Sequence, residues 1–203
     1  YISSTLKPCI ISTGMSTISE IEKVYQIYNK SKIAFLHCIS NYPCSDQSLN
    51  LNVIKTLRRI FNVPIGFSDH SIGSEAAIAS VSLGAKIIEK HFTTDKLLDG
   101  PDQKTSSNPE EFRVLVRQIR RVENMLGIPF KQLQNEEIDM LTTSRKSLHV
   151  AKDIKKNQIV LERDLELKRP GNGLSYDLID FLIGKKASKE LKKGHKICLG
   201  DVL

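Results

Sequence analysis

Apolar segments of strand length alternate four times with segments whose apolar residues recur at helical spacing, and this alternation fills most of residues 8–126. Residues 8–12 form the first apolar run. Thr17-Ile18-Ser19-Glu20 then offers a capping box for a helix with Ile21, Val24, Ile27 and Tyr28 on one face. Residues 33–38 form the second run, and Leu51, Ile54, Leu57 and Phe61 mark its helix. A third run at 63–67 leads into a helix over 74–83. A fourth at 86–89 precedes a helix that opens at Asn108-Pro109 and carries Phe112, Leu115, Val116, Ile119, Val122 and Met125. Strands joined through helices pair in parallel, so the chain specifies an α/β fold with helices packed outside a parallel sheet. Open doubly wound sheets and (β/α)8 barrels both satisfy this, and both carry their chemistry on loops leaving the carboxyl ends of the strands.

The polar motifs fall where that rule wants them. Ser12-Thr13-Gly14, Ser40-Asn41-Tyr42-Pro43, Ser68-Asp69-His70 and Glu89-Lys90-His91 each stand at or just past a strand end. A lone histidine in such a place reads as a strand cap, but two at adjacent strand ends beside Asp69 and Glu89 read as a site. Neutral imidazole is a reasonable donor for a divalent ion completed by water and substrate oxygen, so His70 and His91 are the candidate metal ligands. Glu89 lies two residues before His91 and shares its face on a strand; the bland alternative is an ion pair with Lys90 or Lys86. Ser12, just before a helix, suits an anion, because a hydroxyl and backbone N–H groups face it together. Ser68 and the Ser40-Asn41-Tyr42 loop add donors, although each serine taken singly reads as a cap or turn.

Composition excludes several classes. Of 203 residues 40% are apolar, which is ordinary for a globular chain. The formal charge of +7 sits largely in lysine pairs such as Lys155-Lys156 and Lys192-Lys193 with few aromatics between them, so these read as solvated turns and not as a nucleic-acid surface. Cys9, Cys38, Cys44 and Cys198 show neither CxxC nor regular spacing, which points to reduced thiols and a cytoplasmic protein. No apolar run has the roughly twenty residues of a membrane span, and no signal-peptide pattern opens the chain.

The pattern changes near residue 127. Residues 128–143 read as a linker or short exposed helix, and residues 144–203 contain a repeat. Ala151-Lys152-Asp153-Ile154-Lys155-Lys156 recurs 37 residues later as Ser188-Lys189-Glu190-Leu191-Lys192-Lys193, and Asp164-Leu165 recurs as Asp201-Val202. Short strands, turn residues and the loop Arg169-Pro170-Gly171-Asn172-Gly173 point to a compact, pseudo-symmetric, β-rich domain.

Taken in order, Leu36-His37-Cys38, Ser40-Asn41-Tyr42-Pro43, Gly66-Phe67-Ser68-Asp69-His70, Glu89-Lys90-His91-Phe92, Gly100-Pro101-Asp102 and Lys168-Arg169-Pro170-Gly171-Asn172-Gly173 resemble the sialic acid synthase family. The resemblance covers essentially the whole chain and implies the C-terminal half of a (β/α)8 TIM barrel over residues 1–127, followed by a small antifreeze-like domain (SAF, β-clip). It implies a synthase that condenses phosphoenolpyruvate with an N-acetylated amino sugar to a nine-carbon 2-keto sugar acid and phosphate, assisted by Mn²⁺ or Mg²⁺. His70 and His91 match the metal ligands and Glu89 matches an active-site carboxylate. Ser12, Ser40, Asn41, Tyr42 and Ser68 fall on the substrate side, with the asparagine one place earlier in some members. Asp102, otherwise a turn former, matches a residue that binds sugar hydroxyls. Arg169 matches an arginine that reaches the N-acetyl sugar in a partner subunit's barrel, so a domain-swapped homodimer is implied. Only four of eight βα units are present, and the upstream half of such a barrel would supply a phosphate-binding lysine and a glutamate. A truncated, non-catalytic carbohydrate- or phosphate-binding protein is the alternative; an ice- or sugar-binding module explains only the last sixty or so residues.

Overall fold

The computed structural model describes residues 1–28 and 32–203. The chain divides into two compact units, Tyr1–Ile128 and Pro129–Leu203. Among the described residues no helix is long and apolar enough to cross a membrane.

The first unit is the expected run of βα units: β1 (Cys9–Ser12), α1 (Ile18–Ile27), β2 (Ile33–Cys38), α2 (Val53–Ile60), β3 (Ile65–Asp69), α3 (Glu75–Ser82), β4 (Ile88–Lys90) and α4 (Pro109–Leu126). The strands pair in parallel in the order β1-β2-β3-β4, with Ser12 beside Leu36, Cys38 beside Ser68 and Ser68 beside Glu89. Four consecutive parallel strands in sequential order, each returning through a helix, form half of a (β/α)8 barrel. The capping boxes at Thr17/Glu20 and Asn108/Glu111 start α1 and α4.

Alternation along each strand sorts the side chains. Phe35, Ile65 and Phe67 face the helices and pack with Tyr25, Ile54, Leu57 and Phe61 in a closed core. Phe61 meets Tyr25 at 5.2 Å and Phe35 at 5.4 Å, both edge-on, the arrangement aromatic pairs prefer. His37 is also on this face: it is buried, stacked on Phe67 and bonded through Nε2 to the Leu49 carbonyl at 2.7 Å. Burial pushes its pKa down against that bond, so it is a neutral core histidine. Gly66 faces the other way, and a Cβ there would overlap the Ile87 carbonyl oxygen and Leu36 Cδ2.

Two expectations change. In α1 the buried positions are Ile21 and Tyr25, and Ile27 is exposed. In α4 only Leu115 of the apolar stripe is buried, while Val116 and Met125 are exposed.

The second unit begins with a short turn and α5 (Ile138–Ser144), where the sequence suggests a linker or an exposed helix. β5 (Ser147–Val150) and β6 (Leu165–Lys168) pair antiparallel, and α6 (Ile179–Leu182) closes the unit over Leu148, Val150, Ile154, Val160, Leu182, Ala187, Leu191 and Ile197. The 37-residue repeat is a two-fold relation in space. Ile154 and Leu191, equivalent positions, exchange both backbone hydrogen bonds, and Val150 N–H to His195 O is mirrored by Ala187 N–H to Gln158 O. Lys152 pairs with buried Asp164 at 2.9 Å and Lys189 with buried Asp201 at 2.8 Å. Asn157 and Gly194, again equivalent, both adopt positive φ in their turns.

Candidate active site

Ser12, Ser68 and Glu89 leave β1, β3 and β4 on the face opposite the aromatic core, and His70 and His91 follow one residue past β3 and β4 on that same face. The Glu89 Oε1 atom accepts two hydrogen bonds, from Ser68 Oγ at 2.7 Å and Ser12 Oγ at 2.9 Å. The strands β1, β3 and β4 thereby converge on one carboxylate oxygen, and among the described residues Oε2 takes no hydrogen bond.

The two imidazoles stand edge-to-face with ring centres 5.2 Å apart, and the Tyr42 ring lies 4.1 Å from His70 and 5.2 Å from His91. His70 Nδ1 is 2.7 Å from the Ile39 carbonyl. A carbonyl only accepts, so Nδ1 carries the proton and the Nε2 lone pair is open. Ser68 Oγ approaches Nε2 at 3.5 Å, but its proton is already given to Glu89. His91 Nδ1 faces Asp102 Oδ2 at 3.6 Å, longer than a hydrogen bond but close enough for the carboxylate to orient the ring. Burial raises the Tyr42 pKa, with Cys38, Asp102 and Glu89 adding in the same direction, and the phenol stays protonated as a donor.

Two imidazoles bound to one ion at about 2.1 Å and roughly right-angled to tetrahedral directions hold their ring centres about 5 Å apart. The observed 5.2 Å and the open His70 Nε2 fit such an ion. Among the described residues no three His, Cys, Asp or Glu side chains form a ready metal cage, so oxygen from water or substrate has to complete the shell.

The structure thus brings Ser12, Tyr42, Ser68, His70, Glu89, His91 and Asp102 together. Ser40 lies against Gly14, where an added Cβ would meet its side chain, and Asn41 turns back to donate to the Pro43 carbonyl at 3.1 Å. Arg169 belongs to the second unit. Its Nε donates to the Ser144 carbonyl at 2.8 Å, and the loop behind it is fixed by Gly171 N–H to Thr142 O and by Ser147 Oγ to Pro170 O.

Asp69 does not converge with the histidines as its place in the motif suggests. It is one residue out of phase with Ser68 and His70, points to the opposite face and pairs with Lys90 at 2.8 Å. Strict alternation along residues 66–70 carries that answer in the sequence. The Ile39 carbonyl that fixes the His70 tautomer, and Cys38 Sγ at 3.8 Å from His70 Nδ1, leave no such signal.

The class is defined by the fold and its rim: half of a (β/α)8 barrel with a polar cluster at the carboxyl ends of its strands, in a chain that also carries a pseudo-symmetric β module. Comparison with known proteins makes the assignment specific. The chain belongs to the NeuB family, whose model matches residues 1–131, and an SAF domain matches residues 145–201. It is 39% identical to N,N'-diacetyllegionaminic acid synthase of Campylobacter jejuni over 94% of this chain and 59% of that protein. It is 38% identical to pseudaminic acid synthase of the same organism over 98% of this chain and 59% of that protein. Among solved structures, N-acetylneuraminic acid (sialic acid) synthetase from Leptospira borgpetersenii serovar Hardjo-bovis, in complex with citrate, is 37% identical with a TM-score of 0.65, covering 69% of this chain and 50% of that one. The chain spans about three fifths of the length of the curated relatives it matches.

Proposed function

We propose that the protein condenses phosphoenolpyruvate with an N-acetylated amino sugar and one water: C3 of the enol bonds to the sugar aldehyde carbon, water adds at C2, and phosphate leaves from C2 to give a nine-carbon 2-keto sugar acid. The observation that carries this reading is the paired, partly uncommitted imidazoles of His70 and His91 beside Glu89 in a NeuB-family chain. The family's relatives are named as synthases of such acids.

In this reading His70 and His91 hold a divalent ion, manganese in preference to magnesium because imidazole is a poor ligand for a hard ion. Bound there, the ion supplies Lewis acidity to the carbonyl of the open-chain sugar. Asp102 steadies His91 and the Ile39 carbonyl steadies His70. The Glu89 carboxylate, held through Oε1 by the two serines until phosphate arrives, exchanges a proton with substrate. Ser12 and Ser68 can turn their hydroxyls from Glu89 to an arriving phosphate, and the protonated Tyr42 wall excludes water from one side of the imidazoles. Ser40 and Asn41 line the rim, and Arg169 forks onto the N-acetyl group of the sugar from a partner subunit in a domain-swapped dimer.

The test is phosphate release from phosphoenolpyruvate by the complete gene product with manganese and each candidate sugar in turn. Those sugars are N-acetylmannosamine, its 6-phosphate and a 2,4-diacetamido-trideoxyhexose. One sugar should support turnover, and His70→Ala and His91→Ala should each lower kcat by at least about a hundredfold, as loss of a group acting in the transition state does. Full turnover in both variants would sink the assignment; absence of turnover with all three sugars would favour a binding protein.

A further inference from the structure

On the face of the sheet opposite the site, Lys90 joins the two strand ends that carry the histidines. Its ammonium donates to Asp69 Oδ2 at 2.8 Å and to the Ser71 carbonyl at 2.9 Å, and the Lys90 and Asp69 side chains are only 3% and 0% exposed. The other oxygen of Asp69 accepts from Ser71 N–H at 2.9 Å and Ser71 Oγ at 2.7 Å. Asp69 and Ser71 flank His70, and Lys90 stands between Glu89 and His91. One buried ammonium therefore fixes both neighbours of one histidine to the residue between the other histidine and the carboxylate. The Cys44 N–H, 2.9 Å from the His70 carbonyl, pins the turn from the loop that follows β2.

A buried ion pair is a poor way to hold two strands together, since apolar residues of similar volume often do as well or better. Its advantage is direction: Lys90 must reach two particular oxygens, and an apolar side chain imposes no such geometry. We infer that Asp69 and Lys90 are positioning residues, a clasp behind the site that sets the separation and ring orientation of His70 and His91 and keeps Glu89 in register with both serines. This rests on the synthase reading only where turnover is the readout. The clasp touches neither substrate nor ion.

The experiment compares the complete gene product with the double variant Asp69→Asn/Lys90→Met, which removes both charges and keeps an oxygen for Ser71. Three quantities are measured: the melting temperature, Mn²⁺ affinity, and the tautomer of His70 from ¹⁵N–¹H spectra of the histidine rings. The double variant should melt within a few degrees of the parent yet bind Mn²⁺ at least about tenfold more weakly, as loss of groups that orient metal ligands does. His70 should lose its single Nδ1–H form, and kcat should fall further than the KM for phosphoenolpyruvate rises. A folded double variant with parental Mn²⁺ affinity and the parental tautomer would overturn the clasp. If the double variant fails to fold, Lys90→Arg decides: its bulkier head should weaken Mn²⁺ binding in a protein of near-parental stability, and unchanged affinity there overturns the proposal too. If the parent releases no phosphate with any sugar, the synthase reading fails, while the tautomer comparison still reports on the clasp.

Discussion

Glu89 receives both serine hydroxyls on one oxygen, and that asymmetry makes Ser12 and Ser68 more than spare donors. Each hydroxyl has one proton, so Glu89 and an incoming phosphate compete for the same two hydrogen bonds. Ser68, buried and at the shorter distance, is the stronger of the pair, and Ser12 is exposed. Ser68→Ala is expected to lower kcat/KM for phosphoenolpyruvate by about ten- to a hundredfold, the range for a hydrogen bond to a charged group, and Ser12→Ala by less. Phosphate-release kinetics at saturating sugar would check this, and a larger loss at Ser12 would count against the order. At this scale the sequence shows which residues can act: His70, Glu89 and His91 share a face by parity. What it hides is commitment. The tautomer of His70 depends on a main-chain oxygen thirty-one residues away, and His37, equally suggestive as a letter, is spent inside the aromatic core.

Elements were legible by period and by cap, and less so by partner. The capping boxes of α1 and α4 stand where the sequence places them, yet the six-residue stripe of α4 buries Leu115 alone. A stripe says which side of a helix is apolar; coverage depends on what packs there, and no periodicity encodes that. In the second unit the repeat predicts a pseudo-symmetric domain, and the structure shows its repeated aspartates, Asp164 and Asp201, buried one in each half. Burial pushes the Asp201 carboxyl up, but Lys189, the Cys198 N–H and His195 together hold it below the ordinary value. Burial likewise works on Asp164 against Lys152 and the Leu161 N–H, with the same net direction. A depressed carboxyl contributes stability that is complete above the unfolded pKa, about 3.9, and is lost as pH falls through the folded one. Lys189→Met leaves burial of Asp201 less opposed and raises its folded pKa. Thermal melts of the second unit's transition between about pH 3 and 6 should therefore show the variant losing stability from a higher pH than the parent. Coincident profiles would rule out this role for Lys189.

As a whole the chain couples a half-barrel to a two-fold β module, and both were readable as patterns: four strand–helix alternations in one, a 37-residue offset in the other. In the proposed dimer, which subunit's Arg169 would serve which site is not written in any local pattern, because exchange between subunits leaves the sequence of each unit unchanged. The swapped-dimer proposal has a direct test by mixing. His70→Ala spoils the barrel and Arg169→Ala spoils the cap, so each homodimer should be nearly inactive. After dissociation and remixing, half the dimers are mixed and each contains one intact pairing of barrel and cap, which should restore about a quarter of the parental turnover. No recovery would place each arginine over its own barrel. The two-fold module has a further consequence. Beyond the β5–β6 ladder within the first half, its backbone bonds run from each half to the other, Val150 to His195 and Ala187 to Gln158, with Ile154 and Leu191 on the axis. Each is the template for the other, and two separate polypeptides carrying the halves contain all the information needed to reassemble the module.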